Sequence, residues 1–388
     1  MSDRANQIWQ AQQRDLLTRS WAEVDLDRIA ANVRLLRSKV HRSCEVMGVV
    51  KADAYGHGAV PIAGFLEKAY CDYLAVAFID EAEELRNAGN KLPILILGAT
   101  PVEFVERLTK LNVTQTVSNL ETAREYSEAL SKLGEKLKIH IKLETGMGRL
   151  GFNVKNGDVN EVVSMLSFPN LEAEGIYTHF SVSDEPSKDE YTHRQFRVFC
   201  EAVDKIEKEA GVDFAIRHCV NSGAMVNYPK MYLDMVRPGL ALYGMYPGAE
   251  KGDISLSPAM ELKSRIAAVT EHEAGDCISY GAAFTADKKM RIAVLPIGYA
   301  DGLHRVLSNK IDVLIHGRRC RQIGRICMDM CMVDVTEVPD AKAGDVATIF
   351  GQDGEESISV NELAEKAGTI SYELVCAVSQ RVPRVYIE

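Results

Sequence analysis

Lys51 ends an apolar run and is followed at once by a tyrosine and two glycines, in "VVKADAYGHG". A lysine carried out of a hydrophobic interior is costly unless it is paired or chemically used. The glycines let the backbone approach something closely. Reactive residue types recur at the ends of later apolar runs. "KLETGMGRLG" carries Lys142 and Arg149, "YTHF" carries His179, "HCVNSGA" carries Asn221, Ser222 and Gly223, and "VRPGL" carries Arg237 and Gly239. Ser222, Gly223 and Gly239 offer a hydroxyl and backbone N–H groups suited to an anion.

A lysine set against a phosphate cradle points to pyridoxal 5'-phosphate. The aldehyde of that cofactor forms an imine with lysine, and its ring draws electrons from a substrate Cα. Arg237 refines the reading. An arginine set against the pyridine nitrogen does not give up its proton, so the nitrogen stays unprotonated and the ring is a weaker electron sink. A short-lived carbanion that regains its proton at Cα suits racemisation better than transamination. Racemisation needs one proton donor and acceptor on each face. Lys51 serves one face, and Tyr280 in "CISYGAAFTA" is the candidate for the other. A tyrosine ordinarily titrates near pH 10, so its use as a base calls for positive neighbours, for which His179 and Arg237 are candidates.

These residues need a scaffold. Between about residues 45 and 245, near-continuous apolar runs alternate with helical patterns, as in "CEVMGVV", "DYLAVAF", "PILILG", "VTQTV", "KIHIKL", "LEAEGIYTHF", "DFAIRHCV" and "YLDMVRPGLALYG". Such alternation indicates a parallel sheet. Eight units predict a (β/α)8 TIM-type barrel, whose working residues sit at the C-terminal ends of the strands. After about residue 248 the pattern becomes short strands separated by turns, which predicts a mostly-β second domain. Ser359 is placed to cap a helix in "SVNELAEKAG". The reading is α/β: an extension over 1–20 read as a helix, a cofactor-binding barrel over 21–247 and a β domain over 248–388, with the linker around "YPGAEKGD".

Composition narrows the classes. The 388 residues are 46% hydrophobic and carry a net charge of −10 with no basic block, which argues against a nucleic-acid surface. No stretch of about 18 apolar residues exists to span a membrane, and the polar start lacks the apolar core of a secretory signal. Nine scattered cysteines fit a reduced, cytoplasmic chain. Cys327 and Cys331 have a spacing zinc could use but lack a second ligand pair, so no metal site is expected.

The motifs "VVKADAYGHG", "TGMGRLG", "VNSGA", "VRPGLALYG", "ISYGAAFTA", "PIGYADG", "ICMDM" and "SYELVCAVSQRVPR" occur in one order from Trp21 to Glu388. Together they resemble alanine racemase. The resemblance implies a barrel carrying pyridoxal phosphate, a β domain, and a head-to-tail homodimer with shared active sites that supplies D-alanine for bacterial peptidoglycan. It implies that Lys51 holds the cofactor and acts on the D-enantiomer. Tyr280 reaches in from the partner subunit and acts on the L-enantiomer. Tyr55, Ser222, Gly239, Leu240 and Tyr372 match phosphate contacts, and Asn221 lies among them. His179 matches a residue packed on the ring and linked to Tyr280, and Arg237 matches the pyridine partner. Arg149 and the Met328 backbone match contacts to the substrate carboxylate, while Tyr299 and Tyr372 match groups narrowing the mouth. Lys142 matches a lysine often carried N-carboxylated to hold the arginine. Residues 1–20 extend beyond the usual start of the family.

Each residue also has an ordinary reading. Lys51 alone would be a salt-bridged strand-end lysine, Tyr280 a half-buried strand tyrosine, His179 a core histidine and Arg149 a loop ion pair. His57 reads as structural and Asp53 as a helix-start or loop carboxylate rather than an acid catalyst. Three other functions compete: a serine or broad-specificity racemase, a decarboxylase of the same layout, and a non-catalytic carrier of the cofactor. A decarboxylase would set an acidic residue where Arg237 stands, and a carrier would lack the second domain.

Overall fold

The computed structural model describes residues 18–68, 70–248 and 254–388. The expected N-terminal helix lies almost wholly outside the described residues, as does most of the expected linker. The chain forms two compact units. One contains Ile29–Ala54 and Gly58–Ser257, and the other contains the chain up to Arg28, Tyr55–His57 and Pro258–Glu388.

Strand β1 (Ser20–Asp25) opens the described chain. The first unit then contributes β2 (Glu45–Val49), β3 (Tyr73–Val76), β4 (Ile94–Ile96), β5 (Thr114–Val117), β6 (Leu137–Glu144), β7 (Leu171–Tyr177), β8 (Ile216–His218) and β9 (Met235–Val236). All pair in parallel in the order β9-β2-β3-β4-β5-β6-β7-β8. A parallel bridge from Val220 to Val236 closes the ring. The expected eight-stranded barrel is therefore present. Every residue of β3, β4 and β5 is buried, as both-face burial under helices requires. The helix Asp189–Ala210 packs Gln195, Phe199, Ala202, Val203 and Ile206 inward and ends on left-handed Gly211.

The eighth strand is shorter than the apolar run "YLDMVRPGLALYG" suggests. Only Met235–Val236 is extended, and Leu240–Tyr243 winds into a 3-10 turn. Pro238 has no N–H to continue the ladder, and the run is apolar because it is buried on all sides.

The second unit adds β10 (Met260–Arg265), β11 (Ala268–His272), β12 (Met290–Leu295), β13 (Asp312–Ile315), β14 (Arg318–Ile323), β15 (Cys331–Asp334), β16 (Val346–Asp353) and β17 (Arg384–Ile387). They form one sheet in the order β11-β12-β15-β14-β13-β16-β10-β1-β17, with Glu356–Ile358 added on β16. Strand β1 thus joins this sheet, antiparallel to β10 and parallel to β17. A local pattern that groups residues 21–25 with the barrel cannot register a pairing partner more than two hundred residues away. Ser359 caps the helix Val360–Ala367 as expected, its hydroxyl accepting from the Glu362 N–H.

The segment after Lys51 is unusual. Ala52, Asp53, Ala54 and Tyr55 all have φ between 52 and 54°. This is a left-handed turn built without glycine, a conformation that costs about 1–2 kcal/mol per residue. Within the second unit its far end is fastened by Arg384, which donates to the Gly56 carbonyl at 2.8 Å, and by Tyr386, whose hydroxyl donates to the His57 carbonyl at 3.0 Å. Gly56 itself has φ +79°, and a Cβ there would collide with the Val375 carbonyl oxygen. Gly56→Ala should lower unfolding stability by about 1–3 kcal/mol. Denaturant melts of the two proteins check this, and an unchanged midpoint would refute it.

Candidate active site

The barrel strands bring several expected residues to one mouth. Lys51 lies two residues after the end of β2 and is half-buried. The turn after it is held by Asp53, whose carboxylate accepts from the Ala59 N–H at 2.7 Å, and by Glu81, which accepts from the Ala52 N–H at 2.7 Å. Asp53 is therefore the helix-start carboxylate expected.

Lys142 lies near the end of β6 and is buried, donating to the Leu143 carbonyl at 3.0 Å and sitting 5.2 Å from the Tyr177 ring centre. Burial, with Arg237 and Arg149 adding to it, lowers its amine to about 7. Arg237 follows β9 and is also buried. Its guanidinium contacts His218 Nδ1 at 2.9 Å, the Thr178 carbonyl at 2.9 Å, His179 Nδ1 at 3.3 Å and the Cys219 carbonyl at 3.3 Å. His179 is half-buried by surface area and sits among cations. Its enclosure, then Arg237, Lys142, Arg149 and Lys51, hold it well below the ordinary histidine range. It is therefore a neutral ring at pH 7. Arg149 is exposed on a loop tied back by Glu144, which accepts from the N–H groups of Gly146, Gly148 and Arg149 at 2.5, 2.8 and 3.2 Å.

The loops after β8 and β9 are welded together by Ser222, whose hydroxyl accepts from the N–H of Gly239 at 2.8 Å and of Ala241 at 3.3 Å. Asn221 caps the helix Ser222–Asn227 through Ala224 N–H and receives the Ser183 hydroxyl at 2.8 Å. The first N–H groups of that helix have no carbonyl of their own helix to pair with.

The second unit gathers the remaining residues in two places. The Tyr55 and Tyr372 rings lie 6.0 Å apart, and burial pushes the Tyr55 hydroxyl above its usual range. Tyr280, Met328, Cys277, Cys327 and Met330 line a cavity of about 630 Å³. Tyr280 is 72% exposed and Met328 53%. Tyr280 stands on a turn entered through Ser279 at φ 69°, whose hydroxyl donates to the Arg325 carbonyl at 2.7 Å. Tyr299 is set by its N–H bond to the Cys327 carbonyl at 3.0 Å. Its neighbour Asp301, fully buried, holds Arg19 and the Gly298 N–H.

Sequence reasoning passed over Glu144, Tyr177, His140 and His218. His140 had an available signal. In "LKIHIKLE", positions 138, 140 and 142 fall on one strand face, so a polar His140 points the same way as Lys142.

The buried histidines make stability pH-dependent. His140 and His218 are held below the ordinary range, as is His179, by burial first. Unfolded histidine titrates near about 6.5. Below that pH the unfolded chain binds protons more readily than the native rings do, so stability falls as pH falls. Glu174, lowered to about 2, keeps its contribution throughout that window. Tm should therefore be lower at pH 5.5 than at pH 7.5. Calorimetry showing a higher Tm at pH 5.5 would contradict it.

Among the described residues there is no cluster of metal-ligating side chains and no helix long and apolar enough to cross a membrane. None of the nine cysteines is in a disulfide.

A closed parallel barrel with cationic strand ends, and a mostly-β unit in the same chain, define a barrel enzyme with an appended β domain. The family models "Alanine racemase, N-terminal domain" and "Alanine racemase, C-terminal domain" match residues 24–247 and 259–386. The alanine racemase of Clostridium perfringens is 46% identical over 368 residues, covering 94% of this chain and 95% of the relative. The solved alanine racemase of Clostridium difficile superposes with a TM-score of 0.89 at 42% identity, over 95% of this chain and 96% of the other. The structure of the Bacillus anthracis alanine racemase with bound L-Ala-P gives 0.89 at 36%, over 95% of each chain. The chain belongs to the alanine racemase family and is an isomerase.

Proposed function

We propose that the protein interconverts L- and D-alanine with pyridoxal 5'-phosphate, using Lys51 and Tyr280 as the two bases. The observation that carries this reading is Arg237: buried, held by four contacts, and grouped with Lys51 and His179 among cations. Its donors suit a ring nitrogen that stays unprotonated. The other residues fit the cofactor by their chemistry. Lys51 offers an amine to its aldehyde. Ser222 offers its hydroxyl proton and Leu240 its N–H to the phosphate, Gly239, whose own N–H donates to the Ser222 hydroxyl, and Asn221 shape the loop, and Tyr55 and Tyr372 offer hydroxyls. His179 offers a neutral face to its ring.

When bound, the cofactor supplies an electron sink that acidifies the substrate Cα–H. Lys51 Nζ then holds or returns the proton on one face of Cα and Tyr280 Oη on the other. Arg237 keeps a proton off the ring nitrogen and so shortens the time Cα stays without one. Arg149 and the Met328 backbone bind the substrate carboxylate. Lys142, with its amine lowered to about 7, is a free base near neutrality. That is the form that takes up carbon dioxide with loss of one proton, giving an N-carboxylate to pair with Arg149. Tyr299 and Tyr372 restrict the mouth and exclude water. The same reading makes the protein a cytoplasmic homodimer that supplies D-alanine for cell-wall peptidoglycan. Tyr280 of the partner subunit completes each site, in keeping with the exposure of Tyr280, Met328 and Met330.

Tyr280 and Tyr372 leave the substrate side chain room for a methyl group. A hydroxymethyl must displace them or go without a hydrogen bond, a difference worth about 1–3 kcal/mol. We therefore expect kcat/KM for alanine to exceed that for serine by about 10- to 200-fold. A racemisation assay over a panel of small L-amino acids tests the reading. Serine equal to or better than alanine would replace it with a serine racemase.

A further inference from the structure

A line of polar side chains runs through the barrel away from Arg237. Arg237 meets His218 Nδ1 at 2.9 Å, and His218 Nε2 meets His140 Nδ1 at 2.9 Å. His140 Nε2 faces Glu174 Oε2 at 3.5 Å, longer than a formed hydrogen bond, and is otherwise a buried nitrogen without a hydrogen-bond partner. Glu174 is gripped in turn by the Tyr73 hydroxyl at 2.9 Å and by Lys138 Nζ at 2.8 Å, while Tyr73 shares a 2.6 Å bond with Thr114. Both histidines are fully buried, whereas the Glu174 side chain is 22% exposed. Tyr73 and Thr114 open their strands and Arg237 follows the end of its own, so the line joins opposite ends of the barrel.

We propose that Glu174 is a remote positioning residue, which fixes the proton positions of His140 and His218 and thereby holds Arg237 in its working orientation. Arginine has donors only, so His218 Nδ1 must accept. A neutral His218 then carries its proton on Nε2 and donates to His140 Nδ1. A neutral His140 carries its own proton on Nε2, aimed at Glu174. One arrangement of protons satisfies every link. The reversed arrangement sets an N–H of His218 against an N–H of Arg237. Arg237 favours the first arrangement from one end, and Glu174, an acceptor, favours it from the other, so that Glu174 gives the His140 proton its place.

The surroundings agree. Burial keeps both rings neutral, aided at His218 by the charge of Arg237. Glu174 is held down to about 2, first by the nearby His140 ring and also by Lys138 and Tyr73. Glu45 is a neighbouring carboxyl, whose own titration is raised by burial and then by Asp72 and Glu174. The Tyr177 ring stacks on His218 at 4.6 Å and 12°. A Cβ on Gly175 would lie 2.8 Å from the His140 ring, so glycine there is what lets the ring stand in line.

The effect on catalysis rests on the role proposed for Arg237, whereas the proton positions do not, and the experiment separates the two. Holoenzyme labelled with [15N]histidine is observed by NMR, with His218→Gln used for assignment. The native rings should both be neutral with the proton on Nε2 from about pH 6 to 8. Glu174→Leu should show Nδ1–H forms and a kcat about tenfold lower, with KM for alanine little changed. Glu174→Gln, whose amide oxygen can still accept, should restore the native tautomers and most of kcat. A cationic or Nδ1–H ring in the native enzyme overturns the relay, as do unaltered tautomers in Glu174→Leu. Shifted tautomers with unaltered kcat and cofactor absorbance leave the proton positions standing and overturn the role of Arg237.

Discussion

Lys51→Ala is expected to lose racemase activity by about 10⁴-fold or more, because one side chain serves both as cofactor attachment and as one of two bases. Borohydride treatment of the native holoenzyme should leave the pyridoxyl group on the peptide containing Lys51. Two other lysines make the test sharp. Lys142 has the amine lowered to about 7, so on basicity alone it is a strong competitor for an aldehyde. Its position argues otherwise, since it is buried and turned onto the Leu143 carbonyl and the Tyr177 ring. Lys263 is engaged by Glu23 at 2.5 Å and Glu261 at 3.1 Å, and its titration is raised in consequence, which keeps it cationic and unreactive. Label recovered on Lys142 or Lys263 would sink the assignment of Lys51. Label on Lys51 with full activity in Lys51→Ala would remove its catalytic role.

The second large effect comes from mixing two inactive proteins. Lys51→Ala and Tyr280→Phe should each give homodimers in which both sites are defective. If each site takes Lys51 from one protomer and Tyr280 from the other, a mixed dimer has one site with both native residues and one with neither. Random pairing makes half the dimers mixed, so about a quarter of native activity should return. If each site were made within one chain, every site in the mixture would keep one defect and activity would stay at baseline. Native mass spectrometry establishes that mixed dimers have formed. No recovery in their presence excludes the shared site, while the borohydride result for Lys51 stands apart from it.

These two experiments probe residues that the sequence already marked. Lys51, Lys142, His179, Asn221, Ser222 and Arg237 were legible because a parallel barrel places working residues at strand ends, and apolar runs mark where those ends fall. The structure puts all six in one unit, at the ends of β2, β6, β7, β8 and β9 or just beyond them. The left-handed turn after Lys51 was half legible. Gly56 and Gly58 signalled a tight backbone, but four non-glycine residues at positive φ carry no local signal. They are tolerated because Asp53, Glu81, Arg384 and Tyr386 fasten the segment on either side.

By itself the sequence determined the class of fold, since period-two and helical patterning is written residue by residue and needs no partner to be read. It also marked the reactive residue types that fall at strand ends. Tertiary structure alone decided which elements pair over long distance. Strand β1 joins β10 and β17, and the ring closes through a single bridge from Val220 to Val236. It alone decided the electrostatics as well. Lys142 is an ordinary lysine in the chain and becomes a near-neutral base because folding removes water from it and sets Arg237 beside it. His140, His218 and Glu174, on three different strands, form one line only when the barrel closes. Hydrogen bonds between side chains 78 positions apart leave no periodicity to read.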